Sequence, residues 1–230
     1  NYQDFVNSLP LKILGVKCKG KFIYFECEKN WKIWNTLGMT GGWKLNKEKY
    51  GHLSLITDKI PIYFDDYRNF GTVKFSNSIS DFNKKMKDLG VDVLTENFTI
   101  ESFLKVINNK RYQKKTLPEF LMNQKLFSGI GNYLKSEILY QSKISPHRII
   151  EEISEEEKEI IFNAIREIAN ASYKLGGASV RDYSNIEDEK GKYTDLLKVY
   201  AQKIDPLGNK VKKETTKDKR TTHWIPEIQL

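Results

Sequence analysis

The sequence predicts an α+β protein made of an antiparallel β-sandwich, a helical domain and a C-terminal β-hairpin. Short runs rich in β-branched and aromatic residues, bounded by Gly, Asn and Asp, continue to about Ser80. Beyond that point apolar residues recur at helical spacing, and strand-like runs return only near the end of the 230-residue chain. The expected domains are 1–97, 98–196 and 197–230.

The strands of the first domain follow one another with short polar turns between them. The predicted strands are 11–18, 22–27, 32–35, 43–45, 53–57, 60–64 and 72–75.

The helices of the second domain have recognisable ends. They are predicted at 81–89, 99–108, 117–122 and 133–142, and a longer one follows Ser154. Ser154 and Glu157 form a capping box, and Gly176-Gly177 ends this last helix. Further on, 196–202 is predicted to be a strand, and 211–215 and 221–225 are predicted to pair as a hairpin.

The charge pattern favours an anionic partner. The net charge is +8, and the segment 198–220 carries eight Lys or Arg against three acidic residues. The segment 151–159 carries six Glu, so the two signs are segregated along the chain. The longest apolar runs are only a few residues, which excludes a membrane-spanning helix. Two cysteines without a C-x-x-C pattern and three scattered histidines predict no metal site.

The segment 123–147 contains a Gly-Ile-Gly-Asn turn directly before an apolar-striped helix. Gly129 and Gly131 allow a sharp turn and a close backbone approach. Asn132 is a suitable N-cap, and free N–H groups at a helix N-terminus bind phosphate. Lys125 adds a cation. These residues predict a clamp for a nucleic-acid backbone.

Further short motifs occur along the chain in a fixed order. They are Lys19-Gly20-Lys21-Phe22, Leu37-Gly38-Met39-Thr40-Gly41, Asp66-Tyr67-Arg68-Asn69-Phe70-Gly71, Gly176-Gly177, Val199-Tyr200 and Lys219-Arg220-Thr221-Thr222 with Gln229. With the clamp, they resemble the Fpg/Nei DNA glycosylases, base-excision repair enzymes with a helix–two-turn–helix domain. The resemblance covers nearly the whole chain, and its strength lies in the order of the motifs.

The resemblance implies that a damaged base is extruded from the duplex and read in a pocket. Met39, Arg68 and Phe70 would fill the vacated space, and the clamp would hold phosphates. Arg220 would grip the phosphates beside the lesion and assist strand cleavage, and Lys21 matches the lysine that assists β-elimination. The loop beyond Gly177 matches the region that covers the extruded base.

Each of these residues has a simpler interpretation. Lys21 fits a hairpin turn, Arg220 fits a solvated surface charge, and Met39 and Phe70 fit core packing. Arg68 would form a structural ion pair with Asp65 or Asp66, and Asn132 would be only an N-cap.

Two features depart from the family pattern. The family's nucleophile is an N-terminal proline followed by glutamate, whereas this chain begins at Asn1 and Pro10 is internal. We expect either a preceding segment that carries Pro-Glu or a true loss. The 230 residues alone should bind DNA without full glycosylase activity.

Four zinc-binding cysteines are also typical of the family, but Leu207, Ile225 and Ile228 stand at or near their places. The resemblance therefore implies a zincless finger of the Nei-like branch, without zinc or another cofactor.

The first hypothesis is a bifunctional glycosylase and AP lyase acting on oxidised pyrimidines and ring-opened purines in damaged double-stranded DNA. The alternative is a non-catalytic relative that binds damaged DNA. An RNA-binding protein with a similar helix–two-turn–helix is a third interpretation, which leaves the Met39 and Arg68 motifs unexplained. We expect an intracellular monomer located with DNA, in the nucleus, the cytoplasm or a viral compartment.

Overall fold

The computed structural model describes residues 2–178 and 191–230. By their contacts they separate into two compact units, residues 2–88 and residues 89–177 together with 192–230. The division into domains 1–97, 98–196 and 197–230 stays a prediction.

The first unit contains two antiparallel sheets and a helix near each end, so the predicted α+β class is confirmed. One sheet has the strand order β1-β2-β3-β7 and the other has the order β4-β6-β5. The elements are α1 (Tyr2–Asn7), β1 (Ile13–Lys19), β2 (Phe22–Cys27), β3 (Lys32–Thr36), β4 (Gly42–Lys44), β5 (Gly51–Leu55), β6 (Ile62–Asp65), β7 (Thr72–Ser76) and α2 (Ile79–Asp88). Helix α1 was not predicted.

The two sheets of this unit share one apolar core. Phe25 and Ile33 are buried on one sheet, and Trp43, Leu55 and Ile62 of the other sheet pack against the same cluster. Alternate strand residues point to opposite faces, which explains why strands of mixed polarity can form this core.

Helix α2 covers the other face of the four-stranded sheet. The Phe82 ring lies 4.9 Å from that of Tyr24 and 6.0 Å from that of Trp34. Because both faces of β2 and β3 are covered, all of their residues are at least partly buried.

The second unit is helical, with a short parallel strand pair and a terminal hairpin. Its elements are β8 (Val91–Asp92), α3 (Ile100–Ile107), α4 (Leu117–Leu121), β9 (Phe127–Ser128), α5 (Asn132–Ser142), α6 (Glu155–Lys174), β10 (Lys212–Thr215) and β11 (Thr221–Trp224). Phe103, Phe120 and Phe127 are fully buried and form an aromatic core. Among the described residues, none of the helices is both long and apolar enough to span a membrane.

The ends of helix α6 are as predicted. The Glu157 amide donates to Ser154 Oγ at 3.2 Å, and the Ser154 amide donates to Glu157 Oε2 at 2.8 Å. Gly176 and Gly177 follow the helix with positive φ angles, and the Gly177 amide donates to the Ser172 carbonyl. The capping box and the glycine stop therefore both exist.

The prediction of a strand at 196–202 was wrong. A 3-10 helix at Tyr193–Leu196 opens this segment, and a turn follows it. The backbone amides of Lys198, Val199 and Tyr200 donate to the Glu137 carboxylate, which replaces the partner strand that the sequence pattern suggested.

Candidate nucleic-acid interface

Two loops of the first unit approach each other so closely that only glycine fits between them. Gly38, in the loop after β3, has a φ of +69°. A Cβ at Gly38 would lie 2.7 Å from the Gly71 nitrogen and 2.7 Å from the Phe70 carbonyl carbon. The glycines of these motifs therefore set the distance between the loops that carry Met39 and Phe70.

The Asp66 carboxylate fastens these two loops together. Its Oδ2 accepts a hydrogen bond of 2.6 Å from the Gly71 amide, and its Oδ1 accepts one from the Thr40 hydroxyl. Burial by itself would raise the pKa of Asp66, but hydrogen bonds from Thr40, Gly71 and Arg68 outweigh it and lower this pKa. Asp66 is thus a buried, charged acceptor that holds both loops in place.

The three predicted void-filling side chains lie on these loops. Met39 is 49% exposed and Phe70 is 54% exposed, so neither is a core residue. The guanidinium carbon of Arg68 lies 4.8 Å from the centre of the Phe70 ring. The Asp66 carboxylate is engaged by Thr40 and Gly71, and the proposed Arg68–Asp66 ion pair does not form. An exposed apolar pair with a stacked cation is suited to inserting between nucleobases.

Lys21 lies in the turn between β1 and β2, beside Gly20 with a φ of +55°. The side chain is exposed, while the neighbouring Lys19 Nζ donates to the Met86 carbonyl at 3.0 Å. An exposed lysine at this turn is compatible with a purely structural role in the hairpin and with a catalytic role, so the role of Lys21 stays a prediction.

The glycine turn of the second unit is braced by Gln124. The Gln124 Oε1 accepts from the Gly129 amide at 3.1 Å, and its Nε2 donates to the Ile130 carbonyl at 2.9 Å. The Gly129 N–H is therefore already bound by a side chain of the same unit. The exposed Lys125 precedes this turn. Phosphate binding by Lys125, Gly129 and Gly131 stays a prediction.

The sequence suggested that Asn132 is the N-cap of α5, and this prediction was wrong. Gly131 takes that position, without a side-chain cap, and Asn132 is the first helical residue. Its Nδ2 donates to the Thr221 carbonyl at 2.8 Å. An amide nitrogen carries two protons, and the described residues offer no acceptor for the second one. Asn132 thus joins the clamp to the hairpin, and its buried Oδ1 has no hydrogen-bond partner among the described residues.

Helix α5 also binds the C-terminal segment with other polar side chains. The Glu137 carboxylate is 1% exposed and accepts from Lys198, Val199 and Tyr200 at 2.8–3.0 Å. Ser136 Oγ accepts from the His223 amide at 3.3 Å. One face of α5 is therefore an attachment site for the end of the chain.

Arg220 lies at the tip of the hairpin formed by β10 and β11. The Thr216 amide donates to the Arg220 carbonyl at 3.1 Å, and the Lys219 amide donates to the Thr216 carbonyl at 2.8 Å. Lys219 has a φ of +59°, which reverses the chain, and Arg220 is exposed.

An open cavity of about 440 Å³ lies between this tip and the segment around α4. Five of its twelve lining residues are basic and two are acidic; the basic ones are Arg111, Lys115, Lys217, Lys219 and Arg220. The acidic residues in the lining are paired, Glu119 with Lys115 and Asp218 with Lys135. The cavity therefore presents a positive surface suited to a phosphate backbone.

The hairpin is held by an apolar cluster that contains two of the three residues expected near the places of the zinc-binding cysteines, while the third, Leu207, is 77% exposed. Val199, Val211 and Ile225 are buried, with Ile228 and Tyr140 packed against them. Trp224 lies outside this cluster and is buried against His147. Within residues 2–178 and 191–230, no three His, Cys, Asp or Glu residues lie close enough to hold a metal ion. Aliphatic side chains do not fit zinc.

Several residues that shape the interface were not singled out from the sequence. They are Asp66, Gln124, Lys135, Glu137 and Asp218. Asp66 lies inside a recognised motif, and Lys135 and Glu137 interrupt the apolar stripe of a predicted helix, which is a signal for buried polar groups. The loop expected to cover the extruded base lies largely in residues 179–190, outside the described residues.

Comparisons with known proteins match the whole length of the chain. Residues 3–73 match the formamidopyrimidine-DNA glycosylase N-terminal domain, residues 89–184 its H2TH domain and residues 186–230 its C-terminal domain. Formamidopyrimidine-DNA glycosylase of Listeria monocytogenes serovar 1/2a is 32% identical over 237 residues, covering 98% of this chain and 85% of the relative. The enzyme of Carboxydothermus hydrogenoformans is 31% identical over 225 residues, covering 95% and 81%.

Solved structures give the same result. The crystal structure of the MutM (Fpg) protein from Thermus thermophilus superposes with a TM-score of 0.87 at 27% identity, covering 95% of this chain and 83% of that one. A point mutant of Lactococcus lactis Fpg in complex with Fapy-dG-containing DNA superposes with a TM-score of 0.88 at 26% identity, covering 100% of this chain and 86% of that one. The same enzyme bound to abasic-site DNA gives the same values.

Proposed function

This chain belongs to the formamidopyrimidine-DNA glycosylase family of base-excision repair enzymes, and from that premise we propose that the protein encoded by the full reading frame removes oxidised bases from double-stranded DNA and cleaves the strand at abasic sites. Oxidised pyrimidines and ring-opened purines are the proposed lesions, and the site of action is DNA inside the cell. The observation that carries the proposal is the pair of loops locked by Asp66, which expose Met39, Arg68 and Phe70.

These three side chains are the proposed wedge that fills the space left by an extruded base. Extrusion costs a few kcal/mol of lost stacking and pairing. Met39 and Phe70 would replace the lost stacking, and Arg68 would donate to the base left unpaired on the other strand. Loops held rigidly before DNA arrives lower the entropic cost of binding.

The second unit is the proposed grip on the phosphates. Asn132 keeps an amide proton for a phosphate oxygen, Lys125 adds charge, and Arg220 supplies a guanidinium at the hairpin tip. The basic lining of the adjacent cavity extends this surface. Contacts of this kind carry no sequence information, which suits an enzyme that must find damage in any sequence.

Lys21 is the proposed assistant to strand cleavage, a role in which an amine takes part in proton transfer during elimination. Ring-opened purines are supported as substrates because the Lactococcus lactis relative was solved with Fapy-dG-containing DNA.

An incision assay with the full reading frame that encodes these residues tests the proposed activity. Duplexes with an oxidised pyrimidine, a ring-opened purine or an abasic site should be cut, and an undamaged duplex should not. Lys21→Ala should slow incision by about 100-fold or more, the size of a lost proton-transfer group. Lys59→Ala, at another exposed turn, is the matched control and should be neutral. Binding of all the damaged duplexes without incision of any would instead favour a non-catalytic binding protein.

We also propose that the hairpin is a zincless finger of the Nei-like type. The buried Val199, Val211 and Ile225 supply the stability that zinc supplies elsewhere. Elemental analysis of the purified protein should find no zinc above background, and EDTA should leave its unfolding temperature unchanged. Zinc near one equivalent would refute this proposal.

A further inference from the structure

Helix α5 carries a completely buried lysine. Lys135 is 0% exposed, and Leu134, Ile138 and Leu139 around it are buried apolar residues. An ammonium group removed from water is strongly disfavoured unless it is paired. Its partner therefore explains why a lysine occupies this position.

That partner is Asp218 in the turn at the hairpin tip. Lys135 Nζ lies 2.8 Å from Asp218 Oδ2, and the Asp218 side chain is 4% exposed. The other oxygen of the same carboxylate, Oδ1, accepts from Thr216 Oγ1 at 2.6 Å and from the Arg220 amide at 3.3 Å. One carboxylate thus connects the helix with both ends of the turn.

The pair also lies within the electrostatic reach of Arg220. Burial lowers the pKa of Lys135, the hydrogen bond and charge of Asp218 oppose this, and the positive charge of Arg220 lowers the pKa further. The two cations therefore repel each other, and the Asp218 carboxylate binds Lys135 through the lysine side chain and Arg220 through the arginine backbone amide.

Stability alone does not account for this arrangement. A buried ion pair is often no more stabilising than apolar residues of the same volume. Apolar residues could not replace the second carboxylate oxygen, Oδ1, which accepts hydrogen bonds from Thr216 and from the Arg220 amide. The pair therefore fixes the conformation of the tip.

We propose that Lys135 is a positioning residue for Arg220. Through Asp218 it holds the hairpin tip in the conformation that presents the Arg220 guanidinium to a phosphate. This inference rests on the phosphate-gripping role of Arg220 proposed above. Because the tip is ordered in advance, binding does not have to order it.

The test measures the affinity of the 230-residue chain for an abasic-site duplex as a function of salt concentration. Arg220→Ala should weaken binding about tenfold and reduce the slope of log K against log salt by about 1, since one phosphate contact is lost. Lys135→Met should have the same two effects, although it leaves Arg220 in place. The double variant Lys135→Met/Arg220→Ala should bind no more weakly than Arg220→Ala.

A second variant separates positioning from stability. Lys135→Met/Asp218→Asn removes both buried charges, and its unfolding temperature should stay close to that of the parent. Its affinity and salt slope should nevertheless remain low, because the tip has lost its ionic attachment to α5. Lys105→Met, which removes an exposed charge from α3, is the matched control and should change neither quantity.

The outcomes distinguish the two proposals. If Arg220→Ala leaves affinity and slope unchanged, the role of Arg220 fails, and the inference about Lys135 fails with it. If Arg220→Ala has its effect but the folded Lys135 variants keep the parental slope, only the positioning role is overturned.

Discussion

Replacing Glu137 with alanine is expected to lower the free energy of unfolding of the second unit by about 3 kcal/mol or more, because three backbone donors lose their acceptor. The amides of Lys198, Val199 and Tyr200 all bind this carboxylate, which is 1% exposed. Each buried donor left without a partner costs about 1–3 kcal/mol. In a domain of this size, the apparent unfolding temperature should fall by about 10 °C.

Glu137→Gln is the matched control for this experiment. Glutamine keeps the Oε1 acceptor for Val199 and Tyr200 but places an amide group near the Lys198 amide. Glu137→Gln should lower the free energy of unfolding clearly less than Glu137→Ala does. Urea unfolding of the three proteins measures the difference. A Glu137→Ala variant within about 1 kcal/mol of the parent would show that water replaces the carboxylate.

Gly38→Ala is expected to destabilise the first unit by about 3 kcal/mol, through a strained backbone angle and a steric overlap together. The φ of +69° disfavours any side chain, and the new Cβ would overlap the backbone of Phe70 and Gly71 at 2.7 Å. Backbone atoms cannot rotate away, so the two loops would have to separate. Met39 and Phe70 would then lose their relative positions, and affinity for an abasic-site duplex should fall as well.

Gly15→Ala tests the same chemical change without the strain. No heavy atom lies within 4 Å of a Cβ at Gly15, and its φ is not in the left-handed region. Measured by urea unfolding, Gly15→Ala should lower the free energy of unfolding by less than about 1 kcal/mol. Equal losses for the two variants would mean that the close approach at Gly38 does not limit stability.

Much of the fold could be predicted because it depends on local patterns. The hairpin of β10 and β11 and the long helix after Ser154 follow from alternation, capping and glycine stops. Ser154 and Glu157 are three residues apart, and their mutual hydrogen bonds need nothing else in the protein.

Distant partners account for the features that could not be predicted. The segment 196–202 alternates like a strand, but a carboxylate more than 60 residues away takes its amides. Asparagine is a residue type preferred at N-caps, yet the side chain of Asn132 binds Thr221, 89 residues later. Local preference gave the wrong answer at both places because tertiary contacts were stronger.

The candidate interface was also only partly predictable from the sequence. The motifs identified Met39, Arg68 and Phe70 as candidates. Whether such a side chain is exposed and can act as a wedge, or is buried in the core, is visible only in the fold. Lys135 and Asp218 are 83 residues apart, and each would be an ordinary surface charge by itself.

The attachment face of α5 has a consequence for the order in which the protein is made. Asn132, Lys135, Ser136 and Glu137 take all of these partners from residues 198–223. During synthesis the helix leaves the ribosome well before those residues exist, so its buried polar groups at first have only water. Contacts so distant in sequence form late. The clamp should therefore reach its final form only after translation of the hairpin, and a nascent chain that is stalled before the hairpin should not grip DNA.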